Sequence, residues 1–301
     1  MHNVITELQA AGVGDVRVEE PMNRHTTWRI GGPADCLIVP DTKEQLIDAI
    51  RIMHEHGVPW TVFGKGSNTL VTDKGIRGVV IKLGDDYDTA RYEGDVVHAG
   101  ASYSFVKLSW QAAKKGLTGL EFAGGIPGTV GGAVYMNAGA HGSDVSRILL
   151  GAEVVLGTGE VATYSADDME YSYRHSVLQE KGGIVINATF QLAYGDRKEI
   201  AAAMASYKER RTKTQPLSQK CAGSVFRNPP NHYAAQLIES CGLKGKQIGG
   251  AEVSQLHANF IVNTGNATAD DVLTLIKHIQ RTVQEQRGIH LVPEVLVVGE
   301  R

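Results

Sequence analysis

Apolar residues recur at helical spacing in several stretches of the chain. Thr42-x-x-Gln45 has a capping-box pattern ahead of Leu46, Ala49, Ile50 and Met53, and Gly57 supplies the stop. Ser102–Lys115 sets Phe105, Leu108 and Ala112 on one face and ends at Gly116. A third helix is expected from Asp196 through Lys213, stopping before Gln215-Pro216. Asn231–Cys241 reads as a shorter helix. Thr268–Arg287 carries Val272, Leu275, Ile276, Ile279 and Val283 at helical spacing, with Gly288 to end it. Strand-like runs fall at Trp60–Phe63, Gly78–Leu83, Leu149–Leu156, Ile184–Leu192, Ala258–Val262 and His290–Val298. Val185, Asn187, Thr189 and Gln191 alternate imperfectly with apolar neighbours. The pattern is not a βαβ repeat. It predicts an α+β protein with two β-rich lobes, residues 1–84 and 85–199, followed by a smaller α/β lobe, 200–301.

One stretch fits neither period. Glu121–Gly142, EFAGGIPGTVGGAVYMNAGAHG, holds seven glycines from Gly124 onward and almost no charge. Side chains are given up on that scale where backbone must take unusual dihedrals or be approached closely. Backbone N–H groups in such a loop can align toward an anion, a pyrophosphate being the commonest guest; a tightly packed internal turn is the plainer alternative. A second glycine-rich loop, Gly64-Lys-Gly-Ser-Asn68, follows a strand-like run. Neither loop is a Walker A motif, because no Gly-Lys pair is followed by Ser or Thr. Neither has dinucleotide spacing between strand and helix, and the 124–132 run is followed by apolar residues without a helical period.

Composition narrows the class. The chain has 301 residues, 42% hydrophobic and 21% charged, with a formal net charge of −3. That is ordinary for a globular protein and unlike a nucleic-acid binder, which carries a basic face. The one basic cluster, Lys208–Lys213, falls at the end of a helical pattern, where a solvated helix terminus explains it as well as an anionic ligand does. No apolar run is long enough to span a bilayer, so no membrane association is expected. The three cysteines lack metal or redox spacing, and their odd number suits a reducing, cytoplasmic setting. No metal site is expected. Periodicity alone separates no oligomer interface from core.

Three polar residues stand out by their neighbours. Ser224 lies in Cys221-Ala-Gly-Ser-Val-Phe-Arg-Asn-Pro, where it reads as a turn or cap residue or as a reactive hydroxyl. The G-x-S-x-G of a hydrolase elbow is absent. Glu294 interrupts the apolar run Leu291–Val298, which is costly unless the carboxyl is paired or protonated, so it reads as a functional group or as an edge-strand position. Arg174, in Tyr171-Ser-Tyr-Arg-His-Ser, could clamp a carboxylate through two N–H groups or be a plain surface cation.

Taken in order, the motifs Asn23–Asp35 (NRHTTWRIGGPAD), GKGSN at 64–68, AGGIPGTVGG at 123–132 with YMNAGAHG, YSYRHS at 171–176, AGSVFRNP at 222–229, HANFIVNTGNATADDV at 257–272 and LVPEV at 291–295 resemble the UDP-N-acetylenolpyruvoylglucosamine reductase family. The resemblance runs nearly the whole length, in the shorter form without a substrate-covering insertion. It implies a vanillyl-alcohol-oxidase-type FAD-binding region over roughly 30–195 and a substrate lobe from about 200. NADPH would donate hydride, and the enolpyruvyl group of a UDP-sugar would be reduced to give UDP-N-acetylmuramate for peptidoglycan. Residues implied at the FAD are Gly64, Lys65, Gly66, Ser67, Asn68, Gly124, Gly125, Ile126, Pro127, Gly128, Thr129, Gly131, Gly132, Ala138 and Gly139. Arg174 and Glu294 match the residues that stabilise the anionic intermediate, and Ser224 matches the proton donor. Lys213, Asn228 and Asn259 fall at implied substrate contacts. Two other readings account for fewer motifs: a flavoenzyme of the same fold with another acceptor, and a non-catalytic nucleotide-sugar-binding module.

Overall fold

A computed structural model describes residues 1–301. Helices lie at α1 His2–Ala10, α2 Lys43–Glu55, α3 Phe105–Lys114, α4 Val130–Tyr135, α5 Leu178–Lys181, α6 Arg197–Thr214, α7 Ala234–Ser240 and α8 Ala269–Arg287. The chain forms two compact units. Unit 1 comprises Met1–Val18, Cys36–Gly64 and Gly78–Arg210; unit 2 comprises Glu19–Asp35, Lys65–Arg77 and Arg211–Arg301. No helix is long and apolar enough to cross a membrane.

The chain's two largest sheets have four and five strands. One orders its strands Asp15–Pro21, Pro33–Val39, Ile76–Ile81, Trp60–Val62, and the last two run parallel. The first two strands went unread in the sequence because the alternation in Asp15–Pro21 is brief, resting on Val16 and the exposed Val18, and Pro33–Val39 opens on a proline. The second sheet is antiparallel throughout, in the order Val161–Ser165, Leu149–Val155, Ile184–Gln191, Val96–Gly100, Ala90–Glu93. The imperfect alternation of Ile184–Gln191 has a physical cause: Ile184 and Ile186 feed the core beneath α2, whereas Val185, Ala188 and Phe190 feed the core beneath α3 and α4. Thr42 closes the anticipated capping box, accepting from the Gln45 N–H.

Unit 2 is built around α8. Trp28 is fully buried there, its indole N–H donating to Ile261 O at 2.8 Å. The Asn263 amide in turn donates to Trp28 O at 2.9 Å. The α8 N-terminus is capped twice. Thr268 Oγ1 accepts from Asp271 N–H, and Asp73 accepts from the N–H groups of Ala269 and Asp270. A three-stranded sheet, Gln247–Ile248, Ala251–Val253 and Ile261–Asn263, packs beside it. Two expected strands are shorter than the sequence suggested. Ala258–Val262 becomes Ile261–Asn263, and His290–Val298 keeps only Leu296–Val298, which pairs in parallel with Thr69–Val71. Pro293 has no N–H to give a ladder, which holds the stretch before it irregular.

Asp271 accepts from the backbone N–H groups of Thr268 at 3.0 Å and Gly250 at 3.1 Å, and these bonds hold its carboxyl below the usual Asp range. A depressed folded-state value gives stability that is complete above the unfolded pKa and lost as pH falls through the folded one. Asp271→Asn should therefore lower stability at neutral pH and flatten its decline in acid. Denaturant titration of both proteins at neutral pH and near pH ~3 checks this, and parallel acid profiles would count against it.

Candidate active site

The two glycine-rich loops meet in unit 1 at Gly64 and Thr129. A Cβ at Gly64 would lie 2.7 Å from Thr129 Oγ1, so only a bare backbone allows the approach. Beyond Thr129 the chain is helical, against the expectation from its apolar residues. Thr129 caps α4, its Oγ1 accepting the Gly132 N–H at 3.3 Å. The helix was hidden because α4 is only six residues long and contains two glycines, too short for a period to show.

That cap divides the loop's donors. Val130 and Gly131 give their N–H groups to Tyr103 O and Ala101 O, both at 2.9 Å, and Gly132 gives its own to Thr129. The Gly128 and Thr129 N–H groups have no acceptor within the protein, although Thr129 is only 8% exposed. Buried donors without a partner are rare and costly. Gly131 serves packing, since a Cβ there would meet Ala101 Cβ at 2.9 Å, whereas a Cβ at the exposed Gly132 would make only an ordinary contact with Thr129 Oγ1 at 3.5 Å. The remaining residues expected at the cofactor line the same segment. Gly124, Gly125, Ile126, Gly128, Ala138 and Gly139 are half-buried, and Pro127 is exposed.

In unit 2, Lys65, Gly66 and Asn68 likewise give no backbone N–H to the protein. Gly66 has a left-handed φ of 60°, and a Cβ there would lie 2.3 Å from His25 O. Asn68 reaches the other way: its amide donates to Glu294 O at 3.2 Å, and its carbonyl accepts from Leu296 N–H at 3.0 Å. Ser67 is half-buried beside it.

Ser224 and Glu294 are brought to neighbouring backbone in unit 2. Glu294 N–H donates to Val225 O at 2.7 Å, and Phe226 bridges to Pro293. Glu294 is half-buried in irregular chain, so the expected apolar strand around it is not there. Ser224 is half-buried, and its hydroxyl makes no hydrogen bond within the protein. The turn that carries it is fixed by Asn259, which is 4% exposed. Asn259 Nδ2 donates to Phe226 O at 2.8 Å, and its Oδ1 accepts from Phe226 N–H at 3.0 Å. His257 supports Asn259 in turn: Nδ1 accepts the Asn259 N–H at 3.3 Å, and burial lowers the imidazole pKa, favouring the neutral ring that can accept. Asn228 Oδ1 accepts the first N–H of α7, from Ala234, at 3.0 Å. Lys213 is exposed near the end of α6.

Arg174 belongs to unit 1. It has a left-handed φ of 59°, is half-buried, and donates from Nη2 to Gly139 O at 2.9 Å. Its guanidinium carbon lies 4.9 Å from the centre of the exposed Tyr173 ring. Sequence reasoning passed over Asn137 and Gln179, which hold this turn. The available signal was the Asn-Ala-Gly triplet itself, since Asn tolerates left-handed backbone where other side chains do not.

The folded chain and its donor-lined, glycine-rich loops are those of an FAD-dependent oxidoreductase of the vanillyl-alcohol-oxidase type. Residues 34–165 match the FAD binding domain family. At the level of fold, a single-residue variant of berberine bridge enzyme, a reticuline dehydrogenase, superimposes with a TM-score of 0.50 over 64% of this chain and 44% of its own, at 12% identity. Residues 215–298 match the UDP-N-acetylenolpyruvoylglucosamine reductase C-terminal domain. The UDP-N-acetylenolpyruvoylglucosamine reductases of Bacillus velezensis and Bacillus subtilis are 51% and 50% identical, each over 99% of both chains. The crystal structure of the Thermus caldophilus reductase superimposes with a TM-score of 0.81 at 37% identity, over 94% of this chain and 98% of that one. This chain belongs to the UDP-N-acetylenolpyruvoylglucosamine reductase family.

Proposed function

We propose that the protein reduces the enolpyruvyl group of a UDP-N-acetylglucosamine enolpyruvyl ether to UDP-N-acetylmuramate at the expense of NADPH, in peptidoglycan precursor synthesis. The observation that carries the reading is the pair of loops joined at Gly64 and Thr129, with unspent N–H donors at Gly128 and Thr129. They fit an FAD pyrophosphate, because an anion satisfies donors that the fold leaves bare. We assign Gly64–Asn68, Gly124–Thr129, Gly131, Gly132, Ala138 and Gly139 to the cofactor region on that basis. Bound FAD supplies the carrier through which NADPH hydride reaches the substrate.

The chain's own groups then handle charge and proton. An electron-rich vinyl ether accepts hydride at C3 only if its carboxylate draws off the charge that develops at C2. Arg174 is assigned to bond that carboxylate, its fork geometry matching two oxygens. Glu294 is assigned to the same developing charge, acting through a hydrogen bond from its carboxyl group. The Ser224 hydroxyl, free of protein acceptors, is assigned to deliver the proton to C2. A serine is a weak acid in water but can yield its proton to a strongly basic carbanion. Lys213 and Asn228 remain assigned to the sugar nucleotide. Asn259, with both amide ends on Phe226, is assigned to holding the Ser224 turn.

The three-lobe division at 84 and 199 is part of the same proposal, with the FAD region before 200 and the substrate lobe after it. So is a cytoplasmic setting, which suits the three free thiols at Cys36, Cys221 and Cys241. Isotope labelling tests the reaction. Turnover in D2O should place deuterium at C2 of the muramate product. NADPH oxidation without a labelled muramate product would sink the assignment.

A further inference from the structure

Arg174 occupies backbone that an L residue adopts only when its surroundings impose it, at φ 59°. The turn itself is slight: Ser172 and His175 exchange N–H···O bonds of 3.2 and 3.1 Å. What imposes the geometry is a set of bonds to the segment just after α4. Asn137 is 3% exposed, and both ends of its amide are used. Its Nδ2 donates to Ser172 O at 2.9 Å, and its Oδ1 accepts from Ser146 N–H at 3.0 Å. Gln179 Nε2 donates to Arg174 O and to Tyr135 O, both at 3.2 Å. Ser176 Oγ donates to the same Tyr135 oxygen at 2.6 Å. The guanidinium closes the ring by donating to Gly139 O.

Asn137 is itself strained, at φ 44°. Asn is among the few side chains that accept such backbone and still present a donor and an acceptor on opposite sides. The Arg174 turn and the glycine-rich segment are thus one hydrogen-bonded body, with Asn137 as its buried pin.

We propose that Asn137, with Gln179 beside it, is a positioning residue for the reduction: it fixes the Arg174 turn to the cofactor segment, so that the guanidinium is aimed once that segment is in place. The inference rests on the assignment of Arg174 to the substrate carboxylate. Asn137 touches neither substrate nor hydride and acts through Arg174. Loosening a charged group's aim by about 1 Å costs on the order of 10²-fold in rate.

The test measures the two half-reactions separately in the holoenzyme, with bound flavin quantified for each variant. Asn137→Asp keeps the tolerated backbone and the acceptor for Ser146, but replaces the donor to Ser172 O with a carboxylate oxygen. It is expected to retain flavin and to reoxidise with the enolpyruvyl substrate roughly 10²-fold more slowly, through kcat rather than KM, while reduction by NADPH falls much less. Gln179→Met, which loses the donor to Arg174 O with little change of volume, should show the same split more weakly. Asn137→Asp combined with Arg174→Ala should be no slower than Arg174→Ala alone, because the pin has nothing left to aim.

Full additivity in the double variant, or equal loss in both half-reactions with loss of flavin, would overturn the proposal and leave Asn137 a structural residue. If Arg174→Ala alone leaves reoxidation unchanged, it is the Arg174 assignment that fails. That outcome is readable in the single variant without reference to Asn137.

Discussion

Ser224→Ala is expected to leave flavin reduction by NADPH intact and to slow reoxidation by the enolpyruvyl substrate by ~10²–10⁴-fold, the usual loss when a positioned acid is removed. The expectation follows from where the hydroxyl sits. Its backbone is held from both sides, by Asn259 on Phe226 and by the Glu294 N–H on Val225 O, so removing one oxygen leaves the turn in place. The hydroxyl makes no bond within the protein, so its removal orphans no partner and stability should barely change. The loss should fall on proton delivery alone. Stopped-flow measurement of each half-reaction checks it, and an equal loss in both would take Ser224 out of the proton-donor role.

A second large effect is expected where the glycine loops meet. Gly64→Ala places a methyl group 2.7 Å from Thr129 Oγ1 and 3.3 Å from its Cγ2. Either the loops separate or Thr129 turns away and gives up the α4 cap. Overpacking of this kind costs about 1–3 kcal/mol, or roughly 5- to 150-fold in affinity if it falls wholly on the bound cofactor. The variant should purify folded but depleted of flavin. The second substitution identifies the cause: Thr129→Ala removes both offending atoms and leaves the nearest remaining Thr129 contact, its Cβ, at 3.6 Å. Gly64→Ala should therefore cost much less flavin affinity in that background than alone. Titration of the apoprotein with FAD reads both numbers. Purely additive losses would mean the two loops do not meet at the cofactor.

Much of this architecture was legible in the sequence because the elements that matter carry local signals. α2 announces itself by a capping box, and both α2 and α8 by apolar residues at helical spacing; each begins one residue after the Thr that caps it. The glycine loops were legible as loops but not as partners of each other, since nothing local records that Gly64 rests on Thr129. α4 was lost to its brevity. The strand expected over His290–Val298 was an over-reading of apolar composition, which does not register that Pro293 cannot donate to a ladder. Ser224, Arg174 and Glu294 stood out as residues expensive to place casually, but their roles came from the ordered motif series rather than from spacing. Asn137 escaped notice because a buried, fully bonded amide looks like any loop asparagine until its backbone angle and both partners are known.

The central claim is most directly tested by following the oxidised-flavin absorbance band anaerobically, first on adding NADPH and then on adding the UDP-N-acetylglucosamine enolpyruvyl ether. The account predicts bleaching by NADPH followed by rapid recovery of colour with the sugar nucleotide. Bleaching that the sugar nucleotide does not reverse would contradict it, leaving a flavoprotein of this fold that passes its electrons elsewhere.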